Sequence, residues 1–410
     1  MSEHFDIVIL GLTITSSWGN GHATTWRSLV RGLSGMGYRV LFLERDAPWY
    51  AQNRDNPQPR GATSLIYHSL DELISVFESA VAKASLVIVG SFVPDGVVIG
   101  EWVTSVASGK TAFYDIDTPI TLAKLEERTA EYISAALIPR YDAYFSFTGG
   151  PILQKIEDKY GSPMARALFC SVDTELYHPK SVRCKWDLGY LGTYSEDRQP
   201  FLDELLLSPA RGRPKSRFVV AGPQYPEHVE WPANVERIIH LSPSQHPSFY
   251  SAQRFTLNVT RTAMKQAGYS PSVRLFEAAA CAVPIITDWW EGLDTLFSVD
   301  QEILVAHNEE DVLRHLRQLA PSDRGRIAAA ARLRILAEHT PASRANQLRT
   351  YLEEMNDASS GAARRNRLYW QVGHGLAGRL GPEQRRQNSN NKFGEEAVVV
   401  KYPSNLHEPA

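Results

Sequence analysis

Ser270-Pro271-Ser272-Val273-Arg274-Leu275-Phe276-Glu277-Ala278-Ala279-Ala280-Cys281-Ala282-Val283-Pro284-Ile285-Ile286-Thr287-Asp288-Trp289-Trp290 reads as a capped helix, a tight turn, a short buried strand and an aromatic loop. Serine and proline are good openers: the hydroxyl accepts an amide hydrogen left over by the first turn, and proline has no such hydrogen to satisfy. Inside the apolar helix stand one base, Arg274, and one acid, Glu277. A charge in that setting needs a partner or a ligand. The segment is therefore the strongest candidate for a binding site in the chain.

Upstream and downstream of it, short apolar runs alternate with helical patterns. Asp187–Leu191, Phe218–Ala221, Ile238–Leu241, Phe255–Val259, Val283–Thr287 and Ile303–Val305 read as strands. The same rhythm occupies the first half, with Asp6–Leu10, Arg39–Leu43, Leu86–Val89, Ala112–Ile116 and Tyr144–Phe147. The clearest helix is His22–Met36, whose Trp26, Leu29, Val30 and Leu33 share one face. Continuous apolar strands separated by helices predict parallel sheets covered on both faces. The fold class expected is α/β, with two doubly wound, Rossmann-like domains.

Val172-Asp173-Thr174-Glu175-Leu176-Tyr177-His178-Pro179 has linker composition. The expected boundaries are residues 1–175 and 176–355 for the two domains. Arg324–Met355 reads as two helices broken near Thr340-Pro341, residues 356–380 as a further helix packing back on the first domain, and residues 381–410 as a disordered tail.

Bulk properties fit this. The chain has 410 residues, 43% hydrophobic and 22% charged, enough for two or three domains at about 150 residues each. A net charge of −3 supplies no basic field for nucleic acid, so no nucleic-acid partner is expected. Cys170, Cys184 and Cys281 are odd in number and scattered, which argues against a disulfide framework and a structural zinc site and favours a reducing, cytoplasmic setting. No run approaches the ~18 apolar residues of a membrane helix. Arg364, Arg365, Arg367, Arg379, Arg385 and Arg386 cluster late, and peripheral membrane contact stands as the alternative to a solvated helix and tail.

Candidate sites sit at strand ends. The first βα turn, Gly11 to His22, contains Gly19-Asn20-Gly21, where amides can approach an anion and the helix N-terminus adds positive potential. Its dull reading is a turn needing positive φ, and it is no clean dinucleotide fingerprint. His22 at the helix start is a candidate proton carrier. Tyr114-Asp115-Ile116-Asp117-Thr118-Pro119 ends another strand, and alternation points both carboxylates to one face. Three readings are open there: a metal-binding D-x-D, an acceptor-facing base, or a strand end with Asp117 capping the next helix; metal is the weakest. Thr193 and Arg198, in the first turn of the second half, suit phosphate oxygens as well as a plain loop. Arg261 follows a strand. Arg274 and Glu277 form either an i,i+3 ion pair or a ligand grip, and Asp288-Trp289-Trp290-Glu291 either a helix cap or core.

The run Ser272 to Ile286 resembles the nucleotide-sugar motif of group 1 GT-B glycosyltransferases. With Asp288-Trp289-Trp290-Glu291-Gly292-Leu293 it is similar, more narrowly, to the CgeB-like (spore-maturation) branch. The Val172 to Pro179 linker and the Gly19-Asn20-Gly21-His22 loop also match, and the resemblance covers about residues 5–350. It implies two Rossmann-like domains facing a cleft, the second holding a nucleoside-diphosphate sugar and the first an unidentified acceptor. Glu277 matches the glutamate that grips the donor ribose, and Ser272, Arg274, Arg261, Arg198, Thr193, Gly19, Asn20 and Gly21 are the accompanying donor-binding candidates. Many retaining members carry a second glutamate eight residues earlier; here that position is Tyr269, which leaves the stereochemical course open. An inverting course needs a base, with Asp117, Asp115 and His22 as candidates. The family implies no catalytic metal and no cofactor beyond the donor itself. The function expected is hexosyl transfer; a sugar-nucleotide epimerase and a catalytically silent sugar-nucleotide or glycan-binding protein are the alternatives.

Overall fold

The computed structural model describes residues 4–18 and 21–376, with side chains to residue 358. Residues 1–357 form one compact unit and residues 358–410 a second, of which only helical backbone to Leu376 is described. The expected tail, 381–410, and the side chains of the late arginine cluster lie outside the described residues.

Two parallel sheets organise the larger unit. The first holds seven strands: β1 (Ile7–Gly11), β2 (Val40–Arg45), β3 (Thr63–Tyr67), β4 (Leu86–Gly90), β5 (Lys110–Asp115), β6 (Ala143–Ser146) and β7 (Ala165–Ala167), in the order β3-β2-β1-β4-β5-β6-β7. The second holds six: β8 (Trp186–Leu191), β9 (Phe218–Ala221), β10 (Val235–Ile238), β11 (Gln253–Asn258), β12 (Ile285–Thr287) and β13 (Leu304–Val305), in the order β10-β9-β8-β11-β12-β13. Every pairing is parallel. β1 and β4 are buried along their whole length, as uniform apolar strands in a helix-covered sheet must be. In both sheets the strand order reverses beside the first strand, between β1 and β4 and between β8 and β11. Ligands of open α/β sheets bind outside the strand carboxyl ends at such a reversal.

The helix His22–Gly35 covers the first sheet with its apolar face. Trp26 is fully buried, edge-on to Phe42 at 5.6 Å and to Tyr114 at 5.2 Å between ring centroids. Removing an aromatic ring of this size from water is worth about 4–6 kcal/mol as an upper bound. The helix stops at Met36 because Gly37 takes a φ of 91°, turning the chain so that the Tyr38 amide bonds back to the Leu33 carbonyl at 3.1 Å.

The break near Thr340-Pro341 is present: helices run Pro321–Glu338 and Pro341–Leu376. The second begins against the first lobe. Arg344 and Tyr351 donate to the carbonyls of Cys170 (3.1 Å) and Ala167 (2.9 Å), Tyr351 stacks on Phe145, and Arg166 pairs with Glu354 at 3.1 Å. Three strand readings need correction. β3 and β7 were not anticipated, one being an edge strand whose alternate residues are exposed and the other only three residues long. β10 spans Val235–Ile238 rather than Ile238–Leu241: Ile239 is 76% exposed, so the apolar run continues past the strand into a loop.

Candidate functional site

The strand ends of both sheets open onto one cavity of about 460 Å³. From the first lobe it is lined by Gly21, His22, Phe92, Asp117 and Phe147, and from the second by Gly192, Thr193, Arg198, Arg261, Arg274 and Glu277, among others. Gly19 and Asn20 lie outside the described residues; the remaining sequence-selected positions, Asp115 excepted, border this space, Ser272 included.

On the first lobe the turn after β1 is built around Glu44, a fully buried acid at the end of β2. It accepts from the amides of Ile14 (2.7 Å) and Thr15 (3.0 Å) and from the Thr15 hydroxyl (2.7 Å). Arg27 and Asp55 tie the same turn from outside, Arg27 donating to the Ile14 carbonyl at 2.7 Å and Asp55 accepting from the Ser17 amide at 2.7 Å. The turn delivers His22, whose Nε2 lies 3.5 Å from Asp117 Oδ2 and whose ring meets Phe92 edge-on at 5.7 Å.

Asp115 and Asp117 do not look the same way. β5 ends at Asp115, and Asp117 takes φ −124° and ψ 50°, so strand alternation has already stopped. Asp115 turns inward and is 0% exposed, accepting from Thr121 Oγ1 (2.8 Å), Tyr144 Oη (2.5 Å) and the Asp117 amide (3.2 Å). Burial outweighs these bonds and pushes its pKa up to about 6. It is an anchor for the strand end and not a cavity acid, and the two carboxylates do not form a shared metal clamp. Among the described residues no group of three or more His, Cys, Asp or Glu is placed to hold a metal ion. Asp117 sits at the helix cap position but makes no side-chain cap bond. Burial opposes its charge; contact with His22 and the positive charges of His22, Arg261 and Arg198 outweigh that and hold its pKa below the ordinary aspartate value.

On the second lobe a polar network underlies the cavity floor. Arg274 is tied to the protein: Nε donates to the Leu191 carbonyl, Nη1 to Asn258 Oδ1 at 2.7 Å, and the guanidinium lies 4.6 Å over the Tyr190 ring. It joins the ends of β8 and β11 and does not pair with Glu277 as an i,i+3 partner. Asn258 continues to Thr287 (2.9 Å), and Asp288 accepts from the Thr260 amide (3.1 Å) and hydroxyl (2.9 Å), fixing the residue before Arg261. Asp288 is therefore a loop anchor and not a helix cap, and Trp290 is core. Gly222, with φ 145°, packs so closely that a Cβ would stand 2.0 Å from the Gly192 carbonyl oxygen. Arg237 holds that crossing. It is sandwiched 4.2 Å from Tyr225 and 4.1 Å from Trp231 and donates to the carbonyls of Val220 (2.7 Å) and Gly222 (3.1 Å). Nothing in the sequence pattern marked Arg237.

Glu277 is 5% exposed at the cavity wall. Tyr250 Oη donates to its Oε2 at 3.2 Å, and His246 Nδ1 lies 3.4 Å from the same oxygen. His246 and Tyr250 also line the cavity and were not anticipated, since both precede β11 and lie far from Glu277 in sequence. Arg198 Nη2 donates to the Thr193 carbonyl at 2.7 Å, and Arg261, partly exposed, is 3.9 Å from Asp197.

This two-lobe arrangement recurs in solved structures. The sucrose-phosphate synthase of Thermosynechococcus elongatus superimposes with a TM-score of 0.62 at 13% identity, covering 86% of this chain and all of that one. HepE of Anabaena, solved with UDP-glucose, matches with a TM-score of 0.62 at 11% identity over the same shares. An alpha-glucosyltransferase solved with UDP-glucose and DNA containing an abasic site gives 0.64 at 12% identity, again over 86% of this chain and 100% of that one. The chain has the GT-B fold. Residues 198–350, the greater part of the second GT-B lobe, match the family model described as glycosyl transferase-like. No curated protein matches the sequence. No helix among the described residues is long and apolar enough to cross a membrane.

Proposed function

We propose that the chain is a hexosyltransferase of the CgeB-like branch that moves a sugar from a nucleoside-diphosphate donor to an acceptor hydroxyl in the cytoplasm, without a catalytic metal. The observation that carries this is the pairing across one cavity of a gripped acid on the second lobe, Glu277, with an ionised acid on the first, Asp117. Glu277 accepts the ribose hydroxyls. The donor diphosphate lies against Arg198, Arg261 and the amide of Thr193, where the N-terminus of the helix Val273–Ala280 adds positive potential. Arg274 shapes this pocket through its bonds to Leu191, Asn258, Ser272 and Tyr190 and adds its positive charge beside the diphosphate.

Asp117 takes the proton of the acceptor hydroxyl as that oxygen attacks the anomeric carbon, and the nucleoside diphosphate leaves with the bonding electron pair. His22 orients the carboxylate. Asp117 and Glu277 are the only carboxylates among the described lining residues, and Glu277 is committed to the donor, so Asp117 is the base. The experiment is calorimetric titration with UDP, GDP, dTDP and ADP, followed by product analysis with the matching sugar nucleotide. Free nucleoside diphosphate with a glycosylated acceptor supports transfer; an epimerised donor without free nucleotide points to the epimerase, and binding without turnover to the silent binder.

A further inference from the structure

Tyr269 occupies the position where the resembled family often places its second glutamate, and the structure gives it other work. Its backbone is left-handed at φ 48°, a costly conformation for a bulky residue. Its ring lies in a slot between two glycines on different lobes. A Cβ on Gly150, at the start of the first-lobe helix Pro151–Tyr160, would stand 2.3 Å from ring carbon Cδ2; a Cβ on Gly292, in the loop after β12, would stand 2.3 Å from Cδ1. Both glycines have positive φ, 64° and 87°. Two hydrogen bonds cross the same seam, from the Gly149 amide to the Tyr269 carbonyl at 2.9 Å and between the Thr148 and Ser270 hydroxyls at 2.9 Å, while within the second lobe the Tyr269 amide donates to the Glu291 carbonyl at 2.5 Å. Ser270 and Phe147, on either side of this seam, line the cavity.

We infer that Tyr269 is a positioning residue: its ring, seated between Gly150 and Gly292, clasps the two lobes at the separation that brings Asp117 to the donor. The inference rests on the glycosyl-transfer reading for its catalytic half, while the clasp stands on the geometry alone. The ring acts by shape. The seated ring holds the left-handed Tyr269 backbone. Once it is lost, the two remaining seam hydrogen bonds, Gly149 to Tyr269 and Thr148 to Ser270, act as pivots about which the lobes rotate, with the linker and the Pro341 helix start. A reacting centre displaced by about 1 Å loses on the order of a hundred-fold in rate. The proposed nucleotide contacts, Glu277, Arg198, Arg261 and the Thr193 amide, belong to the second lobe and stay in place.

The test uses the full chain with Cys184→Ser, the exposed cysteine, and nitroxide labels at Glu78→Cys and Glu227→Cys, one on each lobe. Double electron–electron resonance should give one narrow distance for the parent and for Tyr269→Phe, and a broad, longer distribution for Tyr269→Ala and for Gly150→Ala. Alanine at Gly150 also strains the backbone at φ 64°, so Tyr269→Ala, which empties the slot without touching Gly150, is the deciding variant. Turnover should fall about a hundred-fold in Tyr269→Ala and recover in Tyr269→Phe, with the dissociation constants for UDP, GDP, dTDP and ADP unchanged. An unaltered narrow distance in Tyr269→Ala overturns the clasp, and an opened molecule with parental turnover overturns the positioning role. If the parent binds none of the four nucleotides, the glycosyl-transfer reading fails, and the distance measurement still decides the clasp.

Discussion

Truncating Glu277 to alanine tests the donor site most directly. The carboxylate is 5% exposed at the cavity wall, and its Oε2 meets Tyr250 Oη at 3.2 Å and His246 Nδ1 at 3.4 Å. A hydrogen bond to a charged group contributes roughly 1.5–3 kcal/mol. At ~1.4 kcal/mol per decade, nucleoside-diphosphate affinity should fall about ten- to a hundred-fold. The same change strips Tyr250 of its acceptor, so the unfolding free energy should drop by about 1–3 kcal/mol. The two effects are separable: calorimetry reads affinity on the folded variant, and urea denaturation reads stability. Glu277→Gln, which keeps one acceptor oxygen, should fall between parent and alanine in affinity. A folded Glu277→Ala protein that binds the nucleotide as tightly as the parent refutes the assignment, whatever its stability.

Asp117→Asn should leave nucleotide affinity unchanged and lower turnover by about 10²–10⁴, the usual contribution of a general base; a rate within a few-fold of the parent removes Asp117 from the chemistry. A bound diphosphate competes for Arg198 and Arg261, two of the charges that favour ionised Asp117, so the acid limb of kcat should lie at higher pH than that of kcat/KM. Coincident limbs contradict that coupling. Asp115 has its pKa raised to about 6 in the folded state, so the folded chain holds a proton that the unfolded chain has already lost. Stability from this group is intact near pH 4 and declines as pH rises through 6, by about 3 kcal/mol in total. Denaturation of Asp115→Asn should lack that decline, and parallel pH profiles for parent and variant argue against it.

What the sequence disclosed depended on how local the physics was. β1 and β4 were legible because an uninterrupted apolar run has few other fates, and Glu277 because a buried acid among alanines stands out. Glu44 carries the same signal, an acid at the end of the apolar Val40–Arg45 run, and a stricter application of that rule finds it. Asp115 and Asp117 were misjudged together, since strand alternation was extended one residue pair beyond the strand. The partners of Arg274 were not legible: Leu191 and Asn258 are 83 and 16 residues away, and only the strand order brings them to one guanidinium. The same holds for Gly150 and Tyr269, whose fit is visible only once two lobes face each other.

The two lobes share a topology and use its switch points in opposite electrical senses. On the second, cations gather at the strand ends: Arg198 and Arg261 at the cavity rim, and Arg274 spent on internal bonds that hold the rim's shape. On the first, one carboxylate faces the cavity while its neighbour Asp115 is withdrawn and its burial penalty partly met by Thr121 and Tyr144. Were both acids exposed to the cavity, each would raise the other's proton affinity and weaken the negative charge a base requires. Sequestering Asp115 leaves Asp117 to His22 beside it and to Arg261 and Arg198 of the opposite lobe, which together hold it ionised despite its burial. A base that stays ionised while the cleft around it excludes water is charged where the donor is held, and the interlobe seam at Tyr269, by setting how the lobes meet, bears on the chemistry as well as on the architecture.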